Sequence, residues 1–202
     1  MQERIDRQID FILEIDRIKQ IVRQNYLADG SRRENDAEHS WHLALMAMLL
    51  TEHAVDQELN RLKTIEMVLI HDLVEIYAGD TYCYDEAGRS SQTERERAAA
   101  ARLFAILPED QEARFTALWE EFEAMETPEA RFAGALDRFQ PMLLNFTSGA
   151  ASWREHTISG KQVIDRNRAP LQQIPALWKR ADEMIRTAVA RGDLIPTEKP
   201  EK

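Results

Sequence analysis

The sequence predicts an all-α fold, and three observations carry that reading. Apolar residues recur at helical intervals, as in Ile5, Ile9, Ile12, Leu13 and Ile18. Only seven glycines and seven prolines punctuate 202 residues, too few for a loop-rich all-β architecture. The 44% hydrophobic and 31% charged fractions are ordinary for a globular chain, which at this length buries a substantial core. No internal repeat, low-complexity block or linker divides the sequence. One domain over residues 1–202 is expected, with its body at about 5–190 and a mobile tail at 193–202.

Each helix has its own local reasons. The first is expected over about residues 5–22, followed by the polar connection "LADGSRRENDAEHS", in which Asp36 could cap the next helix. That helix, about 37–55, is apolar almost all round through "LALMAMLL", the pattern of a central core helix. Thr64 is placed to cap a third helix that Gly79 would end. "TERE" at 93–96 has the capping-box pattern, starting a helix that stops near Pro108. Another follows at about 110–125, and Thr127 with Pro128 opens a long one to about residue 145. "TSGAASW" reads as a loop, and helices near 158–166 and 175–191 complete the chain.

Charge and cysteine usage bound the function. With 26 basic and 36 acidic residues the formal net charge is −10, which disfavours binding to a nucleic-acid polymer. A small anionic substrate stays open, because a bound cation or a few arginines reverse the local field. Cys83 is the sole cysteine, so no intrachain disulfide forms, and it is read as structural. The charged start "MQERIDRQIDF" lacks the apolar run of a signal peptide, and no stretch approaches a membrane span. A cytoplasmic location without membrane association is the expectation.

One stretch conflicts with simple core packing. In "VLIHDLVEIYAGDTY", residues 68–82, His71, Asp72 and Glu75 interrupt the apolar side of a helix, and Asp80 follows Gly79. Burying unpaired charge is costly. His39 and His42, three residues apart in the preceding helix, adjoin on its surface. Imidazole and carboxylate together suit a divalent first-row ion, which would replace the solvation Asp72 loses. The competing reading pairs Asp72 with an arginine and lets His71 donate to a backbone carbonyl; spacing alone leaves both open.

Three segments, "AEHSWHLALMA" at 37–47, "LIHDLVEIYAGD" at 69–80 and "GALDRF" at 134–139, resemble the HD-domain metal-dependent phosphohydrolases. The likeness covers about residues 5–190 and is nearest to the compact bacterial 5′-deoxynucleotidase branch. The resemblance implies a single HD-domain helical bundle holding one divalent cation (Mn, Co, Mg, Fe or Zn) through His39, His71, Asp72 and Asp137. It implies a substrate as well: a nucleoside 5′-monophosphate, preferably a deoxyribonucleotide, from which phosphate is released. Two further functional carboxylates of that branch map onto Glu75 and Asp80, as acid/base groups or a hold on a sugar hydroxyl. An arginine near the end of the first helix maps onto Arg23, but Gln24 follows where the branch has tryptophan. Arg32 and Arg33 are the alternative phosphate-binding candidates. The resemblance also implies a homodimer.

The family contains phosphodiesterases and nucleoside triphosphate hydrolases too, so these are the rival activities, and a non-catalytic nucleotide- or metal-binding module is the rival of another class. His42 is expected to pack or hydrogen-bond beside the site, while His53 and His156 need no catalytic role. Glu94 and Glu96 could approach the site. Trp119, Phe122, Phe132 and Phe139 are read as core.

Overall fold

A computed structural model describes residues 3–84 and 90–196, and it is helical throughout but for one short strand pair. Helix α1 (Arg4–Ile15) runs into a 3₁₀ turn, Asp16–Gln20. Strand β1 (Val22–Tyr26) follows and pairs antiparallel with β2 (Arg33–Asn35). The expected first helix therefore ends early, and the polar connection is half hairpin. Tertiary contacts decide this: strand residues two apart share a face, and here Arg23 and Asn25 both reach buried carboxylates. Asn25 donates to Glu34 Oε2 at 2.8 Å, while Arg23 turns to Asp36 and Asp72.

Helix α2 (Asp36–Leu50) begins at a capping box in which Asn35, not Asp36, is the cap. Asn35 accepts from the Glu38 amide at 3.0 Å and Glu38 returns the bond at 3.1 Å. That frees Asp36 to point inward, where it is fully buried. α2 buries only one side, through Leu43, Met46 and Ala47; its other apolar side is at the surface, with Trp41 62% and Leu49 70% exposed. Helix α3 (Arg61–Ile70) is capped by Asn60, and Thr64 sits inside it with its hydroxyl on Asn60 O at 3.1 Å. The α-helix then stops: His71–Val74 is a 3₁₀ turn, and α4 (Glu75–Ala78) ends at Gly79, whose φ of +77° favours glycine.

Helix α5 (Gln92–Phe104) starts without the expected box; Glu96 turns inward and accepts from Gln92 Nε2 at 2.7 Å. After α6 (Glu109–Ala124), α7 (Pro128–Thr147) is capped as expected, Thr127 Oγ1 accepting from the Ala130 amide at 3.2 Å. α8 (Ala151–Glu155) occupies part of the expected loop, and α9 (Gly160–Asn167) and α10 (Pro175–Arg191) follow. Residues 193–196 are held rather than loose: Leu194 is 2% exposed and the Ile195 amide donates to Ile158 O at 3.0 Å. The remainder of the expected tail, 197–202, lies outside the described residues.

Two apolar clusters make the core. One gathers Leu43, Met67, Phe132, Leu136, Trp153 and Ile185; the other gathers Phe11, Val74, Leu103, Phe104 and Trp119. Val68 belongs to the first and Ile70, Leu73 and Val74 to the second. The 3₁₀ turn carrying His71 and Asp72 is thus pinned from both sides. Among the described residues no helix is long and apolar enough to cross a membrane.

Candidate metal centre

Four side chains from three helical segments converge where the two cores meet. His39 comes from the first turns of α2, His71 and Asp72 from the 3₁₀ turn, and Asp137 from the middle of α7. His39 Nε2 lies 3.2 Å from Asp137 Oδ1 and 3.7 Å from Asp72 Oδ2. His71 Nε2 lies 3.1 Å from Asp72 Oδ1 and 3.7 Å from Asp137 Oδ1.

The outer nitrogens of both rings are already engaged. His71 Nδ1 donates to Val68 O at 3.0 Å, and His39 Nδ1 donates to Gln140 Oε1 at 2.9 Å. Gln140 is itself oriented by Glu34 Oε1, 2.6 Å from its Nε2, with His42 Nδ1 at 3.2 Å. With a proton on Nδ1, each ring turns its Nε2 toward carboxylate oxygens, and His39 Nε2 lies within hydrogen-bond reach of Asp137 Oδ1 at 3.2 Å. His71 Nε2 is buried and lacks a hydrogen-bond partner among the described residues. Imidazole nitrogens set against carboxylates need a proton or a metal cation between them, and two imidazoles with carboxylates suit a divalent first-row ion. The residues present fit such an ion.

A second set, Asp36, Asp72 and Glu75, also brings oxygens within 4.8 Å of one another. There the cation is already supplied: Arg23 Nη1 donates to Asp72 Oδ2 at 2.7 Å and to Asp36 Oδ1 at 2.9 Å. The arginine pairing of Asp72 is thus present and is compatible with a metal on its other side, since one oxygen takes the arginine and the other faces His71.

The acids divide by environment. Burial opposes ionisation of Asp72 and Asp137, but His71 and Arg23 overcome it at Asp72, and His39 and His71 at Asp137, so both are held below the usual carboxylate range. Burial likewise works to lower His71, yet Asp72 and Asp137 outweigh it and lift it to about 10, so without an ion the ring holds a proton that a divalent cation would displace. Glu75, buried and beside Asp72 and Asp36, is pushed well above its ordinary value. Burial, then the charges of Asp36 and Asp72, lift Asp80 to about 6 against the pull of Arg23. Ionised metal-facing groups beside proton-carrying ones are the pattern of an acid/base site.

All of this opens onto a cavity of about 260 Å³, lined among others by Arg23, Asp72, Glu75, Asp80, Arg138 and Arg166. Arg32 and Arg33 do not line it. Arg32 binds Glu38, and Arg33 reaches Gln24 and Glu155, so both are spent on the hairpin and its neighbours. Besides Arg23, Arg138 and Arg166 line it, neither of which the sequence singles out. Of the remaining expectations, Trp119, Phe122, Phe132 and Phe139 are buried, and Phe122 also packs on His71 with ring centroids 4.8 Å apart. His53 is on the surface beside Glu52. His156 packs on Tyr82, their ring centroids 4.3 Å apart. Cys83 lines the cavity, and burial raises its thiol pKa, as befits an unreactive cysteine.

Glu96 also lines the cavity, and burial raises its pKa above the ordinary value of 4.5. A folded pKa above the unfolded one means stability is intact below about pH 4.5 and falls as pH rises through the folded value. Glu96→Gln is therefore expected to melt above the parent at pH 8 in chelator, with the difference vanishing near pH 4. Thermal melts across that range check it; a lower melting point at pH 8 would contradict it.

An HD domain family model matches residues 15–178. The chain belongs to the HD domain family. This HD domain is 49% identical to a predicted metal-dependent phosphohydrolase from Magnetospirillum magnetotacticum, whose crystal structure superposes with a TM-score of 0.91 over 96% of each chain. Among curated proteins, it is 28% identical to the 5′-deoxynucleotidase HDDC2 of Homo sapiens and 30% identical to that of Xenopus laevis. Each match covers 67% of this chain, and 65% and 66% of the relative respectively. The chain thus spans just under two thirds of the length of the curated relatives it matches.

Proposed function

We propose that this HD domain hydrolyses nucleoside 5′-monophosphates to nucleoside and phosphate, with deoxyribonucleotides preferred. The observation that carries the reading is the convergence of two imidazole Nε2 atoms and two carboxylates held in their ionised form beside a polar cavity. Likeness to relatives named 5′-deoxynucleotidase supports the substrate class. At about 260 Å³ the cavity is at the small end for ligand sites and suits one mononucleotide better than two linked ones.

His39, His71, Asp72 and Asp137 would hold one divalent ion. When bound, that ion supplies Lewis acidity toward a phosphoryl oxygen and toward water. Gln140 and the Val68 carbonyl fix the two imidazoles, and Arg23 fixes Asp72. Water attacks phosphorus as the bond to the ribose 5′ oxygen breaks. Glu75, which carries a proton, gives it to the departing oxygen. Asp80 takes one proton from the attacking water and the product phosphate keeps the other. Solvent then returns Glu75 and Asp80 to their starting states.

Phosphate release measured across 5′-deoxyribonucleotides, 5′-ribonucleotides, nucleoside triphosphates and cyclic dinucleotides, with Mn, Co, Mg, Fe and Zn in turn, tests this. Turnover of the 5′-monophosphates is expected, fastest for the deoxy forms. Release from triphosphates or cyclic dinucleotides alone would overturn the assignment.

A further inference from the structure

The cavity carries charges of both signs. Glu75, Asp80 and Glu96 face it from α4, the segment after Gly79, and α5; Arg138 and Arg166 face it from α7 and α9. The cations that line it differ in how they are balanced. Arg23 is neutralised where it stands, one nitrogen serving two carboxylates at 2.7 and 2.9 Å. Arg138 comes no nearer to Asp137 Oδ2 than 3.6 Å, beyond hydrogen-bond reach, and Asp137 already answers to two imidazoles. Arg166 has neither ion pair nor hydrogen bond among the described residues; the Tyr84 ring centroid lies 6.0 Å from its guanidinium carbon.

The two guanidinium groups also feel each other. Burial, and after it the charge of Arg138, pull the Arg166 pKa down. Two like charges partly withdrawn from water into one cavity are unfavourable unless an anion joins them. Buried acceptors stand nearby as well. Asn145 and Asn167 line the same cavity, and the side-chain oxygen of each has no partner among the described residues. Asn167 is fixed by its own amide, which donates to Val163 O at 2.8 Å.

We propose that Arg138 and Arg166 form the clamp for the substrate's phosphate, beside the ligand Asp137. The assignment rests on the phosphomonoesterase reading for its substrate. It moves the anion grip from the arginines near α2 to the pair on α7 and α9. Guanidinium forks match phosphate oxygens in pairs, whereas a carboxylate wall repels them. The phosphate then lies between the clamp and the metal centre, its ester oxygen turned toward Glu75. Asn145 and Asn167 are left to accept from donors on the rest of the substrate.

The experiment is titration of the metal-loaded protein with inorganic phosphate by calorimetry, which requires no turnover. Arg138→Ala and Arg166→Ala are each expected to weaken phosphate binding by roughly 10- to 100-fold, the range for a lost charge-assisted hydrogen bond. Arg166→Lys keeps the charge and is expected to recover part of that loss. Arg180→Ala, at an exposed position paired with Glu183, should bind as the parent does. Metal content and melting curves confirm that each variant is loaded and folded. Undiminished phosphate binding in loaded, folded Arg138→Ala and Arg166→Ala would overturn the clamp and leave the phosphatase reading standing. A parent that binds no phosphate would overturn it as well. If phosphate binds through the two arginines but no nucleotide turns over, the phosphatase reading fails and the clamp survives.

Discussion

Asp72→Asn is expected to lose its divalent ion and at least ~10³-fold of its phosphatase activity, since the ion's contribution is several kcal/mol and each 1.36 kcal/mol is tenfold in rate. The amide is nearly isosteric, so packing around the 3₁₀ turn changes little. What changes is charge. Asp72 Oδ1 is 3.1 Å from His71 Nε2, and Oδ2 takes the 2.7 Å bond from Arg23. A neutral amide is a poor ligand on the first side and a weaker partner for Arg23 on the second. Metal analysis after loading should find near one ion per chain in the parent and far less in the variant. Metal should also raise the parent's melting temperature and leave the variant's unmoved, because a ligand stabilises only the state that binds it. A variant that kept both its ion and its turnover would remove Asp72 from the centre.

Glu75→Gln separates proton transfer from metal binding. Its turnover number is expected to fall by about 10²- to 10⁴-fold, the usual worth of a general acid or base, with metal content preserved. A second consequence runs the other way. Glu75 is buried, one of its oxygens has no hydrogen-bond partner among the described residues, and its pKa is pushed well above the ordinary 4.5. Folded pKa above unfolded pKa means that ionisation at high pH costs stability, which is restored as pH falls. Without the carboxyl, the variant should melt higher than the parent at pH 8 in chelator, and the gap should close toward pH 4. Slower chemistry with greater stability is the signature of a group kept for its function. Unchanged turnover would end the role given to Glu75.

Much of the centre was legible because ionisable residues at this spacing conflict with a helix's apolar side. His71 and Asp72 inside an apolar helical stretch mark groups costly to bury unpaired, while His39 and Asp137 as their partners come only from the resemblance to the HD-domain phosphohydrolases. Periodicity also located α6, α7 and α10 closely, since each has a proline or a side-chain cap at its start or a left-handed residue at its end. The hairpin was hidden because Val22–Tyr26 continues a helical rhythm and only its pairing with Arg33–Asn35 makes it a strand. Asp36 reads as a helix cap for a related reason: an acid at a helix N-terminus is favoured there and needs no further account. Its burial against Arg23 appears only once the hairpin is in place.

The 3₁₀ turn at His71–Val74 is a similar case, since the helical pattern runs unbroken across it. Arg138 had a signal in its position beside Asp137. Arg166 had none, because an arginine in a short helix after a loop is ordinary in sequence and unusual only when it faces a cavity.

The most direct test of the metal centre is anomalous diffraction from crystals of the manganese-loaded protein. One strong anomalous peak is expected at about 2.0–2.3 Å, ordinary ligand distances, from Nε2 of His39 and His71 and from a carboxylate oxygen each of Asp72 and Asp137. A peak instead among Asp36, Asp72 and Glu75, or none near the two imidazoles in a crystal shown to contain manganese, would contradict it.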